Sequence, residues 1–188
     1  FETPLLALEI VEGSGELTGP AASVDERLDG AISRLLQNGD FRGRAGETLP
    51  LYPASSAIAA ERVLLVGVGK ADKLDAEQIR RAAASAARFA AKHRLTHFAT
   101  TLHHAEFASN AISSQEAARA ATEGAVLASF VFDEMKSEVA READDEPVTR
   151  LEEMVILEKS EEKAASLEEG VRVGAALGRG ENLARRLG

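Results

Sequence analysis

Continuous apolar runs alternate along this chain with segments whose apolar residues recur at helical spacing. Residues 4–11 and 63–66 are almost wholly apolar, which is typical of strands buried on both faces of a parallel sheet. Segments 49–52, 96–102 and 153–157 are shorter and have the apolar, β-branched and aromatic content that predicts strands. The pattern therefore predicts strands in five places.

Helices are predicted between these strands. Capping boxes, in which two side chains satisfy free backbone N–H groups, are expected at 23–26, 75–78 and 113–116. The first of these helices should end at Asn38, the third at about Phe132, and a last helix should begin at Ser160. Strands alternating with helices predict a three-layer α/β/α domain around a mixed, mostly parallel sheet.

The last helix carries glycine at every fourth position, at Gly170, Gly174 and Gly178. Each glycine costs a helix about 1 kcal/mol relative to alanine, so a closely packed partner is expected on that face. Residues 136–149 are rich in charge and contain Glu146-Pro147, which predicts an exposed linker.

Composition narrows the classes of protein and of partner. The 188 residues include no cysteine, which excludes disulfides and thiolate chemistry and fits a cytoplasmic location. The net charge of −9 disfavours non-specific binding to nucleic acid, since the basic clusters at Arg42/Arg44 and at Arg179/Arg185/Arg186 are small. No apolar run approaches the roughly 20 residues of a membrane helix, so no membrane partner is predicted.

Candidate catalytic groups are sparse. The histidines form no H-E-x-x-H motif, and an adjacent pair on a strand would point to opposite faces, so they are interpreted as ordinary histidines. They are His93, His97, His103 and His104. The acidic pairs are interpreted as solvated, and no G-x-S-x-G motif occurs. The pairs are Asp144/Asp145, Glu152/Glu153, Glu161/Glu162 and Glu168/Glu169. No catalytic, cofactor-binding or metal-binding residue is therefore predicted.

The segment Gly67-Val68-Gly69-Lys70 follows a predicted strand and is the strongest candidate for a phosphate loop. Asp72 occupies the place of the third glycine of a dinucleotide fingerprint, and Ala71 that of the P-loop serine or threonine. Two interpretations stay open, an anion site at Lys70 and a tight turn with a solvated lysine.

Three blocks, in order, resemble the amino-terminal half of the leucyl aminopeptidases, also called cytosol aminopeptidases. They are residues 28–48, residues 63–75 with the strand and glycine segment, and residues 168–187 with Asn182-Leu183-Ala184-Arg185-Arg186-Leu187. The resemblance spans nearly the whole chain. It implies that residues 1–158 form a macro-domain-like N-terminal domain and that 159–188 form a long helix leading into a catalytic domain.

The family's catalytic domain holds two divalent metal ions, zinc or manganese, which activate water to remove amino-terminal residues such as leucine from peptides. Its signature around Asn-Thr-Asp-Ala-Glu-Gly-Arg does not occur in this sequence. The resemblance thus implies a non-catalytic domain of a metallo-aminopeptidase, itself a hydrolase. It also implies a homo-hexameric parent in which the catalytic domain of the same polypeptide is this chain's partner.

Two alternatives follow from the same resemblance. A macro-like fold can bind ADP-ribose or another anion at its strand ends, with Gly67–Lys70 as the candidate site. A DNA-binding or regulatory role is the other alternative, and the negative net charge argues against it.

Overall fold

Within the residues that the structure describes, the sheet has five strands in the order β2-β3-β1-β4-β5. The protein is described here from a computed structural model, which describes residues 2–54, 58–108, 112–130 and 150–187. The strands are β1 (Leu6–Glu12), β2 (Thr48–Leu51), β3 (Val63–Lys70), β4 (His97–Thr100) and β5 (Glu153–Ile156). β2 pairs antiparallel with β3, and the other pairings are parallel. The predicted mixed, mostly parallel sheet is confirmed.

Helices cover both faces of the sheet, as a three-layer domain requires. They are α1 (Gly19–Arg27), α2 (Ala31–Asn38), α3 (Ala76–Lys92), α4 (Ser114–Ala128) and α5 (Glu161–Leu187), with 3-10 turns at Ala71–Lys73 and Leu102–Ala108. Alternate side chains of β3 enter two separate cores. Leu64 and Val66 pack with α3 and α4, whereas Val63 and Leu65 pack with α1 and α2. Within the described residues, no helix has the length and apolar content needed to cross a membrane.

The helix predicted between 23 and 38 is in fact two helices. The chain turns between them through left-handed backbone at Asp29 (φ 53°) and Gly30 (φ 77°). The carboxylate of Asp25, in α1, accepts hydrogen bonds from the backbone N–H groups of Ile32 (2.7 Å) and Ser33 (3.2 Å) and so caps α2. A cap donated from the preceding helix has no local sequence signature, which is why helical spacing alone misses the break.

The capping box predicted at 23–26 is wrong because α1 begins earlier, at Gly19. The Ser23 hydroxyl lies inside the helix and donates to the Gly19 carbonyl at 3.3 Å. The other two predicted boxes are confirmed, at Asp75 with Gln78 and at Ser113 with Glu116.

The glycines of α5 face α4, so their predicted close packing is confirmed. A Cβ atom added to Gly170 would lie 2.3 Å from the Gln115 carbonyl oxygen, and one added to Gly174 would lie 2.4 Å from that of Arg119. A Cβ atom on Gly178 would lie 2.9 Å from the Val126 side chain. The two helices therefore touch backbone to backbone. The predicted linker 136–149 lies outside the described residues.

Candidate functional site

The carboxyl ends of four parallel strands meet at one edge of the sheet. The chain leaves β1 toward the face that carries α1 and α2, and it leaves β4 toward the face that carries α3 and α4. Such a divergence between neighbouring strands opens a crevice, which is where open α/β sheets bind ligands. This edge is therefore the place to look for a site.

A cavity of about 470 Å³ lies in this crevice. Its walls include Glu9 and Glu12 of β1, Glu16 of the following loop and His104 of the turn after β4. The volume falls within the range of small-molecule sites. Three carboxyl groups line it, and no lysine or arginine is among the described residues of its wall. The cavity is better suited to a cation or a neutral group than to the diphosphate of ADP-ribose.

Glu9 lines this cavity and is buried, with 8% of its surface exposed. Its Oε2 atom lies 2.8 Å from the hydroxyl of Thr101. Burial raises the pKa of Glu9 to about 8, against the smaller lowering by hydrogen bonds from its own backbone and from Thr101. The carboxyl group is therefore protonated at neutral pH.

Beside the cavity, two histidines and one glutamate converge. His103 and His104 lie on the 3-10 turn after β4, and Glu158 lies two residues after the end of β5. Glu158 Oε2 is 3.3 Å from His103 Nε2 and 3.6 Å from His104 Nε2. The two imidazole rings lie 4.2 Å apart, centre to centre. The expected divergence applied to an adjacent pair on a strand, whereas these two histidines lie on a turn and converge.

Hydrogen bonds fix the carboxylate of Glu158. Its Oε1 atom accepts from the backbone N–H groups of Lys159 (2.6 Å) and Ser160 (2.8 Å), which turns Oε2 toward the imidazoles. Burial raises the pKa of Glu158, but the Ser160 amide, His103, the Lys159 amide and His104 together hold it below its usual value. Glu158 is therefore an anion at neutral pH.

The other predicted histidines and acidic pairs lie elsewhere. His93 is the C-cap of α3 and stacks on Phe89 with 4.1 Å between ring centres, while His97 begins β4 at the opposite edge of the sheet. Most members of the described acidic pairs are exposed, which fits the solvated interpretation. They are Glu152/Glu153, Glu161/Glu162 and Glu168/Glu169. Asp144/Asp145 lie outside the described residues.

The Gly67–Lys70 segment is strand rather than a turn, because β3 continues to Lys70. The Gly67 N–H donates to the Glu47 carbonyl at 2.8 Å, and the Gly69 N–H donates to the Gly43 carbonyl at 2.9 Å. A Cβ atom on Gly67 would lie 2.1 Å from the Arg44 carbonyl oxygen. The glycines allow the loop at residues 43–47 to pack closely against β3, and the N–H groups of Gly67 and Gly69 already donate to carbonyl groups of that loop. An anion site at this segment is not favoured.

Sequence reasoning missed Glu9 and Glu158 as members of a site. Glu9 carried a readable signal, since it is the one ionisable residue in the apolar run 4–11. Glu158 has almost no such signal in the sequence, because it comes near the histidines only through the pairing of β5 with β4 in the sheet.

Comparison with a protein-family model identifies the family of this chain. The model of the cytosol aminopeptidase family, N-terminal domain, matches residues 10–139. A probable cytosol aminopeptidase of Chromohalobacter salexigens is 35% identical over 100% of this chain and 35% of its own length. One of Bacillus subtilis is 30% identical over 92% of this chain and 32% of its own length. The chain thus spans about a third of the length of the curated relatives it matches.

Solved structures agree with this match. The bottromycin maturation enzyme BotP in complex with Mn has a TM-score of 0.68 and 25% identity, covering 98% of this chain and 31% of that one. A tomato leucine aminopeptidase mutant shares the fold, with a TM-score of 0.66 and 19% identity over 96% of this chain and 34% of its own. The chain belongs to the cytosol aminopeptidase family and corresponds to its N-terminal domain.

Proposed function

We propose that this chain is the non-catalytic N-terminal domain of a metal-dependent leucyl aminopeptidase. The observation that carries this proposal is the length of the relatives. Nearly all of this chain matches proteins named cytosol aminopeptidase, yet it covers only about a third of the length of each. In this proposal the parent removes amino-terminal residues from peptides by metal-activated water. The two divalent ions, zinc or manganese, belong to the catalytic domain, and the manganese complex of BotP supports that class of metal.

The end of α5 is the proposed junction with the catalytic domain. Asn182, near this end, contacts α4 through a 2.9 Å hydrogen bond from its side chain to the Val126 carbonyl. Leu183 and Leu187 follow, 55% and 79% exposed, and a spacing of four places them on one helical face. A catalytic domain packed against this face would bury them. Residues 1–158 would then form the domain and 159–188 the connecting helix.

The wider properties of the parent belong to the same proposal. Peptides are its substrates, and the parent assembles as a homo-hexamer in the cytoplasm, with this domain attached to each catalytic domain. The names of the relatives as cytosol aminopeptidases support the peptidase class and the compartment.

The parent polypeptide that contains this chain should hydrolyse a leucyl-anilide only when zinc or manganese is supplied.

The double variant Leu183→Asp/Leu187→Asp should lower the temperature at which the parent loses activity, because two charges would be buried at the domain junction at a cost of about 2 kcal/mol or more. The measurement is residual activity after heating.

Arg185→Asp is the control, since it adds negative charge to an exposed position between the two leucines. It should leave the inactivation temperature near that of the unaltered parent. A parent without metal-dependent hydrolysis would refute the enzymatic proposal. A double variant as heat-stable as the control would refute the junction alone.

A further inference from the structure

The side chains of His103, His104 and Glu158 present three metal-ligand atoms within 4.8 Å of one another. They come from the turn after β4 and the segment after β5, so the pairing of these strands brings them together. We propose that these three residues bind one zinc ion at the carboxyl edge of the sheet.

The distances suit zinc. Zinc bonds of about 2.0–2.1 Å in a tetrahedral arrangement place neighbouring ligand atoms about 3.3 Å apart. The two measured separations from Glu158 Oε2 are 3.3 Å to His103 Nε2 and 3.6 Å to His104 Nε2. All three ligand atoms lie within 4.8 Å of one another, so side chains that already converge would move closer together to complete a tetrahedral set.

The support around the ligands also matches a metal site. Carboxylate ligands in proteins are held by further hydrogen bonds, which orient the oxygen that faces the metal. The amides of Lys159 and Ser160 hold Glu158 Oε1 in this way and leave Oε2 directed at the imidazoles. The turn of the chain after β5 thus prepares the one anionic ligand.

Charge and ligand type favour a divalent transition ion. Two neutral imidazoles and one carboxylate give the site a charge of −1, and the carboxyl groups of Glu12 and Glu16 line the adjoining cavity. Imidazole ligands favour zinc over magnesium, calcium or manganese. His104 belongs both to the cluster and to the cavity wall, so a bound ion would lie beside solvent-accessible space. Three protein ligands leave one tetrahedral position for water or a small ligand.

A bound ion would connect the turn after β4 to the start of α5, because Glu158 lies three residues before Glu161. Without metal, Glu158 Oε2 keeps its 3.3 Å hydrogen-bond contact with His103 Nε2. Zinc titration separates these two states, and it needs no catalytic domain. The result therefore does not depend on the proposed function of the parent.

The test is calorimetric titration of the EDTA-treated, dialysed 188-residue chain with zinc chloride at neutral pH. The expected result is one zinc ion per chain. Glu158→Gln keeps the shape of the side chain and removes its charge, and it should weaken zinc binding at least about tenfold. His104→Gln should do the same. Because His103 is fully buried, its replacement risks unfolding, so the test uses the other two positions.

The matched control replaces a histidine and a glutamate at the opposite ends of the same two strands. His97→Gln and Glu153→Gln alter residues paired at the amino ends of β4 and β5 and should leave zinc affinity unchanged. Circular dichroism checks that every variant is folded. Cobalt(II) added in place of zinc should give the intense visible bands of a tetrahedral ion, which Glu158→Gln should abolish. No zinc binding, or equal binding by Glu158→Gln and the controls, would overturn the proposal.

Discussion

The free energy of unfolding of this chain should fall as the pH rises from 4.5 to about 8, the interval over which folding holds the Glu9 proton. In the unfolded chain Glu9 ionises near its ordinary value of 4.5, whereas in the folded chain its pKa is raised to about 8. Between these values the folded state binds more protons than the unfolded state. Stability from this group is thus complete below the lower value and is lost as the pH passes the upper one.

The expected loss in the free energy of unfolding is roughly 2 to 5 kcal/mol. The upper figure converts the full difference between the two pKa values into free energy, and the lower figure allows for relaxation of the protein around the charge. Urea unfolding at a series of pH values from 5 to 9 measures it. Glu9→Gln removes the titration and keeps an acceptor for Thr101, so its stability should vary much less with pH. Glu12→Gln, at the half-buried end of the same strand, should keep the slope of the unaltered chain. Equal slopes for Glu9→Gln and the unaltered chain would show that Glu9 is ionised when folded.

Gly174→Ala should destabilise the chain by about 1–3 kcal/mol, although alanine is the better helix former. The added Cβ atom would lie 2.4 Å from the Arg119 carbonyl oxygen and 3.0 Å from the Thr122 Cβ atom. Both neighbours belong to α4, so α5 has to move away from it and lose contact along its length. The midpoint of urea unfolding is the measurement.

Gly180→Ala is the matched control, on the same helix and with nothing within 4 Å of the added atom. It should stabilise the chain by up to about 1 kcal/mol through helix propensity alone. If both variants shifted the midpoint in the same direction, the contact between the α4 and α5 backbones would be contradicted.

The sheet and the glycine contact could be predicted from sequence because each depends on a local, periodic signal. The apolar run at 63–66 reports burial on both faces, and three glycines four residues apart have a cost that only close packing offsets. The break between α1 and α2 could not be predicted in the same way. It depends on Asp25 reaching the amide of Ile32, a contact between two helices.

The candidate site is harder to predict because its members are distant in sequence. His103 and Glu158 are 55 residues apart and meet only because β5 pairs with β4. The glycines of β3 mislead in the opposite way, because their pattern resembles a phosphate loop although no phosphate site is formed. Their lack of a side chain instead lets the backbone at Gly43 and Arg44 pack against β3. Glycine spacing indicates that another group packs closely against the backbone, and only the structure shows whether that group is a ligand or another part of the protein.

Hydrolysis of a leucyl-anilide by the 188-residue chain alone tests most directly whether bond cleavage belongs to the catalytic domain of the parent. The chain should give no turnover above the metal-containing buffer with either zinc or manganese, including when zinc is bound at Glu158. Metal-dependent turnover that rises in proportion to the concentration of the purified chain would contradict a non-catalytic domain.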